Sequence, residues 1–382
     1  MLLRNNILPR LLLFALVFLC HKVSAQNKAL VDSLRQEANV LAYSNPELAV
    51  ERGLELYSLS KNNPSQQVSA LLTVANAYAV LKDHDQVLKY ALKADSIAEK
   101  NKNYTDQIRA SGFIGGQYQR LKLSNRALKY LDRAYNLSIK HPLPDSIQYI
   151  QGNILFVKGL IKRDNLGCEY ALPNFTEAAE VFSENLEKKL MNSSMAITLN
   201  NIGDCNFQLE KYEAARQNYN EAIMYASKIN AVKNIAYSKL GLAKILSKEK
   251  KHKLAIQKLE GALLSVKNIN DAGLKTELYK TLSENYAAAG NNEKYNTYTK
   301  LYFEEEEKLL NEEKKSINQV ANNLAAENLD KRENQKNTYT YIFIIFGVLL
   351  LVILGYIINK ILQKRRKIAQ KKREIENTSK KK

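Results

Sequence analysis

A short phrase of small and apolar residues recurs through the middle of this 382-residue chain and constrains its fold more than any other feature. Each copy has a small or β-branched residue, an apolar and usually large residue four positions later, and a second small residue three positions after that. Strong copies occupy residues 87–94, 127–134, 171–178, 215–222 and 255–262, and weaker copies occupy 49–56 and 295–302. Spacings of four and three place the three side chains on one face of an α-helix. Because successive copies begin 38 to 44 residues apart, the sequence predicts a tandem array of helical repeats.

A second helix is predicted upstream of each copy. Its small residue falls twelve positions before the start of the phrase, at Ala75, Gly115, Gly159, Gly203, Ala243 and Ser283. This arrangement resembles the tetratricopeptide repeat, in which small residues lie where two helices cross and large residues fill the gap beside them. The resemblance implies an all-α, right-handed solenoid of about seven helix hairpins over residues 26–302. An irregular helical bundle is the alternative, and residues 163–169 are expected to hold an insertion.

Residues 339–358 form a run of twenty residues without a charge. At about 1.5 Å of rise per residue, a helix of this length spans roughly 30 Å, the thickness of the hydrocarbon core of a bilayer. The run therefore predicts one transmembrane helix, and a buried helix of a soluble core is the alternative. Eleven of the 24 residues that follow are Lys or Arg, which predicts that the C-terminal side faces the cytoplasm.

The basic tail, residues 359–382, is expected to contact anionic lipid headgroups, where each Lys or Arg contributes about 1 kcal/mol. The residues predicted to make these contacts are Lys364, Arg365, Arg366, Lys367, Lys371, Lys372 and Arg373. Nucleic acid is the alternative polyanion, but the tail lacks the aromatic residues that stack on bases. We therefore expect a membrane partner and no nucleic acid.

Residues 1–25 have the pattern of a secretory signal peptide. Arg4 and Arg10 precede a ten-residue apolar run, and Val23 and Ala25 supply small residues at a cleavage site. We expect export and cleavage after Ala25, with an uncleaved membrane anchor as the alternative.

Residues 303–338 contain neither Gly nor Pro and are predicted to form a helical stalk. Phe303, Leu310, Ile317 and Leu324 recur every seven residues, but most partner positions of this heptad are charged. A stable coiled coil needs both heptad positions apolar. A single solvated helix is therefore predicted, and a weak homodimer is the alternative.

The chain lacks the sequence motifs of common catalytic, cofactor and metal sites. It has no phosphate-binding Gly-rich loop, no His-Glu-x2-His zinc helix and no Gly-x-Ser-x-Gly turn. We therefore expect no enzyme activity, no cofactor and no metal. Cys20, Cys168 and Cys205 are too few for a disulfide framework, and the spacing permits one bridge between Cys168 and Cys205 without requiring it.

The resemblance also implies a binding surface, because the first helices of tetratricopeptide hairpins line a concave groove that holds an extended peptide or a partner helix. Helix phase predicts as groove-facing polar residues Asn76, Gln119, Arg120, Asn200, Asn201, Asp204, Lys244, Lys280 and Glu284. Asn side chains can hydrogen-bond a peptide backbone, and Arg or Lys can pair with a carboxylate. An ordinary solvated helix face is the alternative for each of them.

The order of segments resembles the sensory half of bacterial membrane-anchored tetratricopeptide-repeat sensors, without their output domain. The resemblance implies a single-pass protein of the bacterial cytoplasmic membrane, with the repeats in the periplasm and the C-terminus in the cytoplasm. The predicted function is protein or peptide binding, as an adaptor or as a signal-input subunit that works with a separate cytoplasmic effector. A structural scaffold in envelope assembly is the alternative, followed by a nucleic-acid-binding regulator that acts through the tail.

Overall fold

A computed structural model describes residues 33–42 and 44–379, so the predicted signal peptide at residues 1–25 lies outside the described residues. The described ranges form helices and contain no strand. The helices are α1 (33–42), α2 (Pro46–Leu59), α3 (Pro64–Val80), α4 (His84–Lys100), α5 (Tyr104–Arg120), α6 (Ser124–Lys140), α7 (Tyr149–Leu166), α8 (Cys168–Ser183), α9 (Lys189–Gln208), α10 (Tyr212–Ser227), α11 (Val232–Lys248), α12 (His252–Ser265), α13 (Ala272–Ala288) and α14 (Asn292–Ser379).

Local sequence explains where many of these helices begin and end. Asn63 and Asp83 accept hydrogen bonds from backbone N–H groups in the first turns of α3 and α4, which satisfies donors that the helix leaves unpaired. Pro64 occupies the start of α3, where its missing N–H costs nothing. At the C-termini, Lys82 and Lys122 adopt the left-handed conformation that closes a helix and reverses the chain. The hairpins α3–α4 and α5–α6 are therefore closed by short, tight turns.

The chain divides into two units, one ending at Ile317 and one comprising Asn318–Lys382. In the first unit, each helix packs against the next one along the chain, in successive hairpins. This is an all-α, tetratricopeptide-like solenoid, as the recurring phrase predicts. The second unit consists of the corresponding part of α14 and contains a stretch, Gln335–Lys371, that is long and apolar enough to cross a membrane.

The recurring phrase forms the core of the solenoid. Ala127, Leu131 and Ala134 are fully buried on α6, and the corresponding residues of α4, α8, α10 and α12 are at most 1 % exposed. Ala49, Gly53 and Leu56 of the opening copy are also buried on α2. The closing copy on α14 differs, because Tyr295 remains 38 % exposed.

On α5, α7 and α9, a glycine of the first helix receives the central residue of the phrase from the second helix, sixteen positions later in the chain. A Cβ atom added to Gly115 would lie 2.5 Å from Cγ of Leu131, and one added to Gly203 would lie 2.7 Å from Cε1 of Tyr219. Real Cβ atoms do not approach other atoms this closely, so only glycine fits at this crossing distance. The predicted interlocking of small and large residues is confirmed at these positions.

The expected insertion at residues 163–169 is wrong. The interval between Gly159 and Ala171 is the usual twelve residues, but α7 continues to Leu166 and Gly167 alone connects it to α8. Gly167 has φ 97°, a conformation that glycine adopts without strain. Residues that form a three-residue turn in other hairpins therefore extend the helix here.

The stalk prediction is tested only in part, because the side chains of Ile317 and Leu324 lie outside the described residues. Residues 303–338 are helical within α14. Phe303 and Leu310 are 59 % and 58 % exposed, so they make no core contact within the chain. The choice between a solvated helix and a weak homodimer stays a prediction.

We predict that Gly203→Ala lowers the free energy of unfolding by about 1–3 kcal/mol, because the new methyl group overpacks the Tyr219 ring. Thermal unfolding of the full chain, followed by far-ultraviolet circular dichroism, measures the change. Gly116→Ala is the matched control, because no atom lies within 4 Å of its added Cβ. That control is expected to raise the stability by up to about 1 kcal/mol through helix propensity. Equal effects of the two substitutions would contradict the proposed packing.

Candidate functional site

The odd-numbered helices from α3 to α13 form the inner face of the solenoid. Contacts join α3 with α5, α5 with α7, α9 with α11, and α11 with α13, and a hydrogen bond from Arg163 to Asn201 joins α7 with α9. The even-numbered helices from α2 to α12 contact extensively only their neighbours along the chain. Helices that converge in this way lie on the concave side of a curved array, whereas those that diverge lie on the convex side. The concave side therefore consists of the first helices of the hairpins, as predicted.

Polar side chains tie neighbouring first helices together along the C-terminal half of this face. Asn200 on α9 accepts a 2.7 Å hydrogen bond from Ser238 on α11 and donates to the backbone oxygen of Asn234. Ser247 on α11 donates to Asn285 on α13 at 2.9 Å. Asn200 is only 7 % exposed. The structure thus places this predicted groove residue in the contact between two helices.

Three more predicted groove residues of this half are engaged within the protein. Asn201 accepts a 2.5 Å hydrogen bond from Arg163. Lys244 forms a 2.6 Å ion pair with Glu277 on α13. Asp204 accepts a 2.6 Å hydrogen bond from the Tyr219 hydroxyl. The polar groups of these three residues are therefore matched within the protein.

Tyr219 connects the core of this half to its inner face. The ring extends from α10 between Gly203 on α9 and Gly241 on α11, where any added Cβ would overlap it. The hydroxyl group reaches Asp204, whose side chain is exposed at the inner face. Burial raises the pKa of the Tyr219 phenol. The protein atoms around Asp204 exclude water, and this desolvation raises the pKa of its carboxyl group. The tyrosine therefore remains a hydrogen-bond donor at neutral pH.

Lys280 and Glu284 lie one turn apart on α13, and both are exposed. Glu284 lies close enough to Tyr302 on α14 that its charge helps to raise the pKa of that phenol, although the hydrogen bond from Tyr302 to Glu306 is the larger cause. The structure does not bring these two α13 residues together with the predicted groove residues on α3 and α5.

The N-terminal half of the inner face contains an open cavity of about 460 Å³ between α3, α5 and α7. Three predicted residues, Asn76, Gln119 and Arg120, meet there. The remaining lining residues are Leu72, Arg109, Gly112, Phe113, Gly116, Gln117, Ile150, Asn153, Ile154, Phe156, Val157 and Leu160. A mainly apolar concavity with a few polar groups, of this volume, is typical of ligand sites.

One stripe of α5 forms the wall of the cavity. Arg109, Phe113, Gly116 and Arg120 follow one another at spacings of four, three and four, which places them on the same helical face. Gly116 leaves the middle of this stripe without a side chain, and no atom lies within 4 Å of the position its Cβ would take. A ligand can therefore approach the α5 backbone between the two arginines.

The two arginines differ in their partners. Arg109 donates a 3.0 Å hydrogen bond to Asp106, whose side chain is 2 % exposed. Arg120 forms no ion pair or hydrogen bond with any residue that the structure describes, and it is exposed at the end of α5. The Arg120 guanidinium is therefore available to an anionic group in the cavity.

Sequence reasoning missed Arg109, Phe113, Gly116, Asn153 and Phe156 as lining residues. The spacing of Arg109, Phe113, Gly116 and Arg120 was the available signal, since all four share one face of α5. Within the described ranges, no group of three His, Cys, Asp or Glu residues could hold a metal ion.

The sulfur atoms of Cys168, at the start of α8, and Cys205, in α9, are joined in a disulfide with Cα atoms 5.0 Å apart. This bridge is the one that the spacing permits, and it closes a chain separation of 37 residues. Disulfides persist mainly in oxidising compartments outside the cytoplasm.

We predict that the folded protein does not react with thiol-alkylating reagents at Cys168 or Cys205 until it is reduced. Reduction is expected to lower the free energy of unfolding by about 2–4 kcal/mol, because the opened loop regains conformational entropy in the unfolded chain. Mass spectrometry after alkylation and thermal unfolding measure the two effects. The double variant Cys168→Ser/Cys205→Ser is the control and should not respond to reductant. Alkylation of both residues without reduction would contradict the bridge.

On the second unit, Lys364, Arg365, Arg366, Lys367 and Lys371 have exposed side chains, as a lipid-contacting role requires. The side chains of Lys372 and Arg373 lie outside the described residues. The contacts of this basic segment with lipid stay a prediction.

No family model and no curated protein sequence matches the chain. Among solved structures, the apo form of RapI is similar with a TM-score of 0.53 at 14 % identity, over 72 % of this chain and 99 % of that one. Aspartyl phosphate phosphatase F from Bacillus subtilis gives 0.51 at 15 % identity, over 71 % of each chain. NprR in complex with its cognate peptide NprX gives 0.50 at 14 % identity, over 75 % and 83 %. These likenesses show a shared tetratricopeptide-like fold.

Proposed function

We propose that this protein is a peptide-binding module whose cavity between α3, α5 and α7 holds an extended segment of a partner protein. The open cavity of about 460 Å³ on the inner face carries the proposal. It exposes a stretch of the α5 backbone at Gly116, and Gln119 and Asn153 supply amide groups at its edge. Side-chain amides can donate to and accept from a peptide backbone, while Phe113 and Phe156 offer apolar surface to its side chains.

Two proteins of similar fold support this reading. The solved NprR structure contains its cognate peptide NprX, and the structure of the Rap conjugation gene regulator of plasmid pLS20, which has a TM-score of 0.50 and 17 % identity, contains the Phr* peptide. Peptide binding is thus a function that this fold performs elsewhere. We propose the same class of function here, with a ligand and contacts that differ from those of NprR and the Rap regulator.

We propose that the protein binds and does not catalyse. One similar structure is named a phosphatase, so the fold alone does not decide the question. The cavity, however, presents amides, arginines and apolar groups, and none of its lining residues is a Ser, Cys, His, Asp or Glu. Those residue types supply most nucleophiles and general bases in enzymes.

We further propose that the protein is anchored in the cytoplasmic membrane of a bacterium, with the solenoid in the periplasm. The described side chains of residues 339–358 are exposed apart from Gly347, and a long uncovered apolar helix is unfavourable in water. The basic residues after this segment favour a cytoplasmic C-terminus, and the Cys168–Cys205 bridge suits an oxidising compartment. In this arrangement the protein acts as an adaptor or as the input subunit of a separate cytoplasmic effector.

Filling the cavity tests the binding function. Gly116→Leu places a side chain in the empty middle of the α5 stripe, and we predict that it weakens peptide binding at least tenfold without lowering stability. Gly261→Leu on α12 is the matched control, since its added Cβ also meets no atom within 4 Å and it does not line the cavity. Peptides selected from a random display library on the full chain in detergent micelles provide the probes, and fluorescence anisotropy measures their dissociation constants.

Two results would overturn the proposal. One is that selection enriches no peptide that binds the full chain. The other is that Gly116→Leu and Gly261→Leu bind the selected peptides equally well, which would place the binding surface elsewhere.

A further inference from the structure

The charge of the inner face changes along the solenoid. In the C-terminal half, Lys244 pairs with Glu277, and Asp204 is exposed at the same face close to both residues. In the N-terminal half, the fifteen residues that line the cavity include Arg109 and Arg120 but no carboxylate. One end of the inner face is therefore nearly neutralised by the protein itself, and the other carries excess positive charge.

The basic surface continues beyond the cavity. A smaller recess of about 130 Å³ adjoins it, because Arg109 lines both. The recess is also lined by Arg35 on α1 and by Ser65 and Ser69 on α3, again without an acidic residue. Arg35 on α1 and Arg109 and Arg120 on α5 thus line these two adjoining spaces.

Asp106 neutralises part of this charge but does not face the ligand space. Its side chain is almost fully buried, holds Arg109 at 3.0 Å and does not line the cavity. Arg120 has no such partner in the part of the chain that the structure describes. A guanidinium pairs with a carboxylate through charge-assisted hydrogen bonds, which are stronger than those between neutral groups.

We infer that the ligand is an acidic peptide segment in which carboxylates flank a bulky apolar residue. The inference rests on the proposed peptide-binding function and specifies its ligand. Arg109 and Arg120 are eleven residues apart on one helix, a distance of about 16 Å along its axis. An extended peptide covers that distance in about five residues. An apolar side chain between the carboxylates then lies against Phe113 and Phe156, opposite the bare backbone at Gly116.

Three sets of short dye-labelled peptides test the inference on the full chain in detergent micelles. Each set has a central phenylalanine, and glutamate, glutamine or lysine flanks it at the same positions. We expect the glutamate set to bind at least tenfold more tightly than the glutamine set, with an affinity that falls as ionic strength rises. The lysine set should bind weakest. Amidated and free C-termini are compared within the glutamate set, so that a terminal carboxylate is distinguished from side-chain carboxylates.

The substitution Arg120→Gln is expected to weaken binding of the glutamate set by about 10- to 100-fold and to leave the glutamine set nearly unchanged. Lys129→Gln on α6 is the matched control, because Lys129 is exposed and does not line the cavity. Arg109→Gln is less suitable, since it would leave Asp106 buried without its partner.

The outcomes separate this inference from the proposed function. If the glutamine or lysine set binds as tightly as the glutamate set, and Gly116→Leu still abolishes binding, the acidic specificity is overturned while peptide binding stands. Equal effects of Arg120→Gln and Lys129→Gln on the glutamate set would also overturn it. If no set binds and library selection also fails, the proposed function itself is wrong.

Discussion

The solenoid depends on how closely the two helices of each hairpin cross. Where the first helix presents a glycine, the second inserts Leu131, Phe175 or Tyr219, and the ring or branched side chain occupies the space a Cβ would need. The apolar phrase is almost fully buried on α4, α6, α8, α10 and α12. Each hairpin can bury its phrase only against the neighbouring hairpins. The hairpins therefore stack, and this stacking brings their first helices side by side. These crossings therefore determine the geometry of the inner face and of any site on it.

The glycine pair Gly115 and Gly116 shows how one sequence feature serves both packing and binding. Gly115 faces the core, where its missing side chain admits Leu131. Gly116 is turned about 100° further around the helix and faces the cavity, where its missing side chain leaves the backbone open. The first glycine is required by the fold, whereas the second costs helix propensity without any packing gain. Functional sites often contain residues whose presence does not increase the stability of the fold.

The fold could be predicted because the interlocking needs small and large residues at fixed helical positions, and this requirement leaves a visible period in the sequence. The expected insertion at residues 163–169 is wrong because the turn after α7 has one residue in place of three, while α7 continues for the same two residues at its C-terminus. The spacing of Gly159 and Ala171 is therefore unchanged. The site was predicted less well. Helix phase could not tell that Asn200 would be buried against α11 while Asn201, the next residue, would contact Arg163. The cavity could not be foreseen either, because it is the space that three helices leave unfilled.

Photo-crosslinking in intact cells tests directly whether the inner face between α3, α5 and α7 holds a polypeptide. A photoreactive residue at Asn153, which is exposed at the cavity, is compared with one at Lys129 on α6. We predict a polypeptide adduct from position 153 alone, with an acidic segment at the crosslinked site, and its loss when Gly116→Leu fills the cavity. An adduct from position 153 that persists in the Gly116→Leu variant would contradict binding in the cavity. Equal adducts from positions 153 and 129 would contradict it as well.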